Sequence, residues 1–551
     1  MRKQTKFVAA ASAASLLAIG ASMTSFAATG WVEEDGQWYY YDRDENRVQD
    51  EWRRSGDNWY WLDGEEDGAM ALEKLIEDDD DTYFVDANGV MVTNTWVRLV
   101  NEDQDDDTDP AEYRYYYFQS NGKAYKSSDR DSVRTRTIDG RRYAFDDDGR
   151  MLYGWVSEDG EMVHDGEEGW KEAMYYFGTW EDGAMKTGWQ RINVYNAQSD
   201  EDEDADKWFY FNSNGHRFEL TADDIADGDI IKTRRINGKT YGFDEDGVMV
   251  YEWNQSVGST SDYASASNWS YFNSPEDGAR VTRGWFKVVA DEDFDPDRYD
   301  DEEEKWYYAN GDGTLVTSEI RRIGGRYYGF DENGAMLDGL VLLKVENGEI
   351  VEVLNDSVDA DDLDDLTDSS VKVDGDVYYF GDGDDGSMKT GNTTVNIDGD
   401  NYSFNFSSTG GADTRGAGTT GLVRKVYYKY GRRMAASSED RYRAAVIDTD
   451  SESGEDFVTF VDSKDLRANA GQAYDEDGER LSGVRFADLT TDALIGTNGS
   501  VRTNANGLRD GDDWYFYSDG NGRIFAYAND KDFSKTEEYD TLKDLSESLA
   551  E

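Results

Sequence analysis

The sequence predicts an all-β protein: a solenoid of stacked short β-hairpins with a divergent C-terminal capping region. Three observations carry this expectation. A unit of the form Ile-(Asn/Asp)-Gly-x-x-Tyr-x-Phe recurs, runs of alternating aromatic residues are each followed by a glycine turn, and the chain holds 55 Gly but only three Pro. A hairpin of this size cannot bury both of its faces alone, so the units must stack to share a core.

The first unit type runs Ile138 to Phe145, Ile236 to Phe243 and, more degenerately, Ile397 to Phe404. Ile323 to Phe330 keeps the frame with Gly324 in the turn. Three of these continue into a second turn, Asp146 to Gly149, Asp244 to Gly247 and Asp331 to Gly334. A second type sets a glycine six residues after an apolar strand end: Leu62 to Gly68, Phe177 to Gly183, Phe272 to Gly278 and Phe380 to Gly386. The third type is Tyr115-Tyr116-Tyr117-Phe118 before Asn121-Gly122, matched by Trp208-Phe209-Tyr210-Phe211 before Asn214-Gly215. Each reads as an aromatic strand, a turn in which Gly supplies positive φ, and a short returning strand. Alternation sets Trp208 and Tyr210 on one face and the two Phe on the other.

Acidic insertions fall between hairpins at Asn101 to Glu112, Gln198 to Asp206, Ala290 to Glu304 and Asp356 to Asp368, and read as solvated loops. From Gly410 to Gly421 the chain turns Gly-rich and the repeats blur. The organisation is therefore a leader over 1–27, a hairpin array over 28–414, a capping stretch over 415–530 and a tail over 531–551. In the tail Leu542, Leu545 and Leu549 fall at helical spacing.

Charge and composition exclude several functions. Fifty-six Lys and Arg against 120 Asp and Glu leave a formal charge of −64, incompatible with binding nucleic acid by phosphate neutralisation. There is no Cys and there are two His, His164 and His216, so thiolate chemistry, zinc–thiolate sites and the usual general bases are nearly absent. No catalytic residues, metal or cofactor are expected, and the chain reads as a non-enzyme. Asp146 to Gly149 and Asp244 to Gly247 begin like calcium loops but lack the closing Glu, and read as turn chemistry. Arg2, Lys3 and Lys6 precede an apolar run from Phe7 to Met23 and a small-residue site at Ser25-Phe26-Ala27, the pattern of an export signal. No second apolar stretch reaches the roughly 20 residues of a membrane span.

The aromatic residues supply the candidate site. A Trp closing one hairpin precedes a strand whose first and third residues face the same way: Trp189 with Trp208 and Tyr210, Trp253 with Trp269 and Tyr271, and Trp285 with Trp306 and Tyr308. Such rings form either the core between hairpins or a box for a quaternary ammonium or a sugar ring. These residues resemble the cell-wall-binding repeat family of Gram-positive bacteria, which includes choline-binding and glucan-binding repeats. Tyr175-Tyr176-Phe177 through Gly183-Ala184-Met185-Lys186-Thr187-Gly188-Trp189 is the close match, and the likeness extends over most of residues 31 to 408. The resemblance implies a hairpin solenoid held noncovalently on the cell wall, with a polymer, choline-decorated teichoic acid or α-glucan, bound between hairpins. The alternative is an adhesin or structural spacer whose rings are core only. The sequence leaves the oligomeric state open.

An exported chain should be cut after Ala27. N-terminal sequencing of protein from culture supernatant or wall extract is expected to start at Ala28; a sequence starting at Met1 would refute the leader.

Overall fold

The computed structural model describes residues 29–105, 109–127, 132–163, 169–194, 205–255, 265–368, 372–411, 414–449, 456–461, 471–474, 480–486 and 492–548. The leader with its cleavage site, His164, Leu549 and most of the Gln198 to Asp206 insertion lie outside them. The chain forms two compact units. One comprises residues up to Arg235 with Tyr241–Val250, the other Ile236–Thr240 with Tyr251 onwards.

Both units are mostly β, with little helix and many hairpin sheets. Two-stranded antiparallel hairpins pair Thr95–Val100 with Tyr113–Phe118, Gly188–Val194 with Ala205–Phe211, and Trp285–Val289 with Glu304–Tyr308. Larger sheets occur as well, among them a five-stranded one that joins Gly391–Ile397, Asp400–Phe406, Arg432–Arg433, Val426–Lys429 and Gly421–Val423. The phenylalanine ending each aromatic strand is the constant core residue: Phe118, Phe177, Phe211, Phe243, Phe272, Phe330 and Phe380 are all fully buried. Among the described residues no helix is long and apolar enough to cross a membrane.

A backbone hydrogen bond and a side-chain plug join one hairpin to the next. The residue two positions after a turn glycine donates its N–H to a carbonyl in an earlier strand. Met91 reaches Trp59, Met151 reaches Tyr115, Met185 reaches Arg142 and Met249 reaches Trp208, each at 2.8–2.9 Å. In the second unit Met336 reaches Trp306 and Met388 reaches Tyr327, both at 2.8 Å. The same residue's side chain fills the space over the next turn glycine. Met70 lies over Gly89, Met91 over Gly122, Met151 over Gly183, Met185 over Gly215, Met336 over Gly386 and Met388 over Gly416. A Cβ at any of these six glycines would fall within 3.0 Å of the methionine. All six also have positive φ, so the turn needs glycine for its backbone and for the incoming side chain. Methionine suits the slot because its unbranched, polarisable chain adapts to an irregular gap.

The acidic insertions differ from the solvated loops the sequence predicts, because each described one is pinned by buried side chains. Asn101 is buried and donates to the carbonyl of the fully buried Ala111 at 2.9 Å. In the insertion at 290–304 Phe294 enters the core and Arg298 bridges Asp295 and Asp331, at 2.5 and 2.7 Å. The helix Ala360–Thr367 sits in the last insertion, starts at a capping box formed by Asp359 and Asp362, and buries Leu363 and Leu366. Acidic surface is retained while one or two apolar residues per insertion anchor it. In the tail, Glu537–Ser548 is helical, with Leu542 and Tyr539 packed against Tyr517 and Phe525.

The plug can be tested in isolation. Gly215→Ala places a methyl on a backbone with φ +93° and into the sulfur of Met185, whereas Gly140→Ala meets only its φ of +81°, with no atom within 4 Å. The first should cost about 2–4 kcal/mol and the second about 1 kcal/mol in urea unfolding. Met185→Ala should recover part of the Gly215→Ala loss in a double-mutant cycle.

Candidate functional site

Three ring clusters repeat the same geometry. Trp96, Trp189 and Trp285 each stand at the start of the first strand of a hairpin and are separated by 93 and 96 residues. Each is registered opposite a tyrosine of its own hairpin: Tyr117, Tyr210 and Tyr308. The centroid distances to those tyrosines are 5.2, 5.3 and 5.1 Å. Each indole also meets a tyrosine of the following Ile-(Asn/Asp/Gly)-Gly hairpin, Tyr143, Tyr241 or Tyr328, edge-on at 4.9, 4.8 and 4.9 Å. Its phenylalanine, Phe145, Phe243 or Phe330, lies more nearly parallel at 5.8, 5.6 and 5.6 Å. Two clusters carry a second indole: Trp208 stands 6.2 Å from Trp189 at 88°, and Trp306 stands 6.4 Å from Trp285 at 87°. Trp189, Trp208, Tyr210, Trp285, Trp306 and Tyr308 are half-buried, while Phe209 and Phe211 face the core.

The remaining set departs from the expected box. Trp269 is only 5 % exposed and lies in a core cluster with Phe294, 5.3 Å away. Trp253 donates its indole N–H to the Val289 carbonyl at 2.8 Å and is ringed by Tyr271, Phe286, Phe294 and Tyr307. The cause is Phe294, supplied by the acidic insertion, which fills the space between the two indoles. Trp269 is thus a core residue, while Trp253 and Tyr271 are half-buried beside it.

Cations flank the two double-indole clusters. Arg191 is registered directly opposite Trp208 and pairs with Asp206 at 3.2 Å. Lys287 is opposite Trp306 and pairs with Asp384 at 3.0 Å, while the Trp306 indole N–H donates to the same carboxylate at 2.9 Å. Those two donors hold the Asp384 carboxyl below the usual carboxylate range. Arg234 covers Tyr210, its guanidinium carbon 5.0 Å from the ring centroid. The arrangement offers ring faces beside charged hydrogen-bonding groups.

Sequence reasoning passed over the Trp96 cluster because Thr95 stands where the other two have Gly188 and Gly284. The period alone could have found it. Likewise the walls formed by Tyr241 with Phe243 and Tyr328 with Phe330 come from units marked only as hairpins. His216 is half-buried and shares a 2.6 Å hydrogen bond with the Tyr175 hydroxyl.

Comparison with known proteins agrees with the repeat pattern. The choline-binding family model described as a cell wall binding repeat matches residues 29–46, 50–70, 203–216 and 300–315. The last two matches contain Trp208 with Tyr210 and Trp306 with Tyr308. These segments therefore carry the cell wall binding repeat. Glucosyltransferase-I of Streptococcus downei is 26% identical over 426 residues, covering 68% of this chain and 22% of that protein. The chain thus spans about a fifth of that relative. Among solved structures, CbpJ of Streptococcus pneumoniae has 20% identity over 60% of this chain and 99% of its own, with a TM-score of 0.33. CbpF, the choline binding protein F of the same organism, solved with ipratropium, has 19% identity over 71% of this chain and 100% of its own, also at 0.33. One expectation is corrected here. The sequence reads as a non-enzyme, yet the curated relative is named as a glucosyltransferase, so having no Cys and only two His does not set the chain apart from enzymes.

The turns that follow the ring strands have unusual acidity. Asp244 accepts the N–H groups of Asp246 and Val248 at 3.0 and 2.8 Å, and Asp146 accepts that of Arg150 at 2.6 Å. This is turn chemistry, with the carboxylate holding its own loop. Burial nonetheless pushes both carboxyls up to about 6, the backbone hydrogen bonds only partly opposing it. Burial raises Asp331 as well. A carboxyl raised in the folded state binds its proton more tightly there than when unfolded. Its stabilising contribution is complete below the ordinary value of 3.8 and is lost as pH rises through about 6. Asn212 and Asn310 occupy the same turn position, their main-chain N–H and C=O bonded to His216 and Gly215 and to Thr314 and Gly313, so the turn accepts an uncharged residue there. Asp244→Asn should therefore stabilise the fold at pH 7 by about 1–3 kcal/mol and make little difference at pH 4, as read by urea midpoints at the two pH values.

Proposed function

We propose that the chain is an exported cell-surface protein whose hairpins stack as a solenoid and hold a neutral glucan of the cell envelope against the Trp189 and Trp285 clusters. The stepwise plugging of each of these turns by a residue of a preceding hairpin supports the solenoid. The capping role of 415–530 is part of the same proposal.

The observation that carries the glucan reading is the cation opposite the second indole. Arg191 and Lys287 stand across from Trp208 and Trp306, and Arg234 already covers Tyr210. A quaternary ammonium approaching these rings would meet a like charge, whereas a sugar ring can stack on an indole and exchange hydrogen bonds with Arg191, Lys287 and their carboxylate partners. Similarity to a protein named as a glucosyltransferase is in keeping with a glucosyl polymer.

Choline-decorated teichoic acid is the second reading. The family model and the pair of perpendicular indoles favour it, since a cation is held best between Trp faces. A third reading, an adhesin or spacer whose rings are core only, fits the behaviour of Trp253 and Trp269.

Retention on immobilised dextran and on immobilised choline separates the readings. Glucan binding predicts retention on dextran that changes little with salt, with Trp208→Ala and Trp306→Ala each weakening it roughly tenfold at an unchanged melting temperature. Retention on choline alone, weakening as salt rises, would reverse the choice of ligand. Unchanged retention in both variants would leave the spacer.

A further inference from the structure

In the second unit a cavity of about 320 Å³ opens between the helix Ala360–Thr367 and the strands around Arg432 and Arg443. Three arginines line it: Arg432, Arg433 and Arg443. This is far from the aromatic clusters in sequence, and it inverts the character of a chain with 120 acidic residues and 56 basic ones.

The three guanidiniums are not equivalent. Arg432 is fixed in the wall, donating to the Asp364 carboxylate at 2.5 Å, to the Thr367 hydroxyl at 3.2 Å and to the Leu363 carbonyl at 3.3 Å, with the Tyr402 ring beneath it at 5.1 Å. Arg433 and Arg443 have no carboxylate partner among the described residues, although both are half-buried. Arg443 lies over Phe460, its guanidinium carbon 4.5 Å from the ring centroid, a contact that satisfies none of its five N–H donors. Arg433 occupies a plug position: it is the second residue after Gly431, and its Cγ and Cδ lie over the Gly499 turn where other turns receive methionine. Its aliphatic stem thus does the packing and its guanidinium is carried to the cavity. Thr367 and Thr459 add hydroxyl groups to the lining, and Asp364 and Asp368 are the carboxylates present there.

We propose that this cavity binds a phosphate group, as a free phosphate ester or as the phosphodiester of a polymer. Two guanidiniums without a carboxylate partner among the described residues, carried on the different strands Arg432–Arg433 and Tyr442–Thr449, suit an anion that accepts on several sides. A carboxylate has two oxygens, both engaged by one bidentate arginine, whereas a phosphate has further oxygens for a second arginine and a threonine hydroxyl. The proposal is independent of the ligand held by the ring clusters.

The test is titration calorimetry of the full chain with inorganic phosphate, glycerol 3-phosphate and poly(glycerol phosphate), with acetate as the carboxylate control. Two variants remove charge by different routes. Arg433→Met places there the side chain that fills the equivalent slot in other turns, so the plug survives while the charge goes; Arg443→Gln keeps a polar, hydrogen-bonding side chain without the charge. Saturable binding of a phosphate probe is expected, weakened about tenfold or more in each variant, with urea midpoints and dextran retention unchanged. Tighter binding of the polymer than of glycerol 3-phosphate would assign the phosphate to a phosphodiester chain, and the reverse to a small ester. Absence of binding by all three probes, equal binding of acetate, or wild-type affinity in both variants would overturn the site.

Discussion

The contact between a turn glycine and the residue that plugs it is the constraint on which the rest of this structure depends. A short hairpin has two faces and too little area to bury either alone, so its position must be fixed by its neighbour. Here one residue fixes it twice. Met151 donates its N–H to the Tyr115 carbonyl in the strand behind and places its thioether over Gly183 in the turn ahead; Met185 repeats both acts with Arg142 and Gly215. Because the plug lies two residues after its own glycine, the distance along the chain to the next glycine is free. That distance is 21 residues from Gly68 to Gly89 and 68 from Gly431 to Gly499. Insertions can therefore grow between hairpins without changing how hairpins meet, which is how so acidic a set of spacers is accommodated.

The ring clusters inherit their regularity from that contact. Trp189 touches rings of its own hairpin and of the next one, and the register between the two is set by the bond from the Met249 N–H to the Trp208 carbonyl. The Trp285 cluster has the same relation through Met336 and Trp306. This explains why corresponding ring distances agree within a few tenths of an ångström although the hairpins differ in sequence and in spacer length. The Asx turns at Asp146, Asp244 and Asp331 then close the strands that supply the outer walls. Their burial is a consequence of the same stacking, and a cost at neutral pH where the side chain is charged.

What was legible in the sequence was what is local. Alternation along Trp208-Phe209-Tyr210-Phe211 decides which rings meet the core, because strand periodicity is a property of four residues. Glycine turns and the pairing of first and third aromatic residues follow from the same short range. Illegible features were those requiring a partner from elsewhere. Nothing near Trp253 or Trp269 announces that Phe294, inside an acidic run, will pack between them and turn a candidate box into core. Trp96 was hidden by the single substitution of Thr95 for glycine, though its cluster is as regular as the others. The role of the second residue after each glycine was written throughout, as Met70, Met91, Met151 and Met185, yet a methionine at a fixed offset has no meaning until its target turn is known.

The scarce positive charges carry more information than the abundant negative ones. With roughly two acids for every base, a lysine or arginine can find a carboxylate almost anywhere, and most surface pairs of that kind contribute about 0–1 kcal/mol. Position is therefore the informative variable. Arg191 and Lys287 stand opposite indoles at one register position in two hairpins, and Arg217 fills the slot over Gly247 while bonding the carbonyls of Trp170 and Lys171. In that slot arginine does everything methionine does and adds a charged head that must be satisfied. Arg217 meets the requirement with main-chain oxygens and Glu219, whereas Arg433 in the same kind of slot presents its guanidinium to a cavity. The repeat thus contains a built-in route for delivering a cation to a chosen place: exchange the plug's sulfur for a guanidinium and the fold is kept while the chemistry at the turn changes.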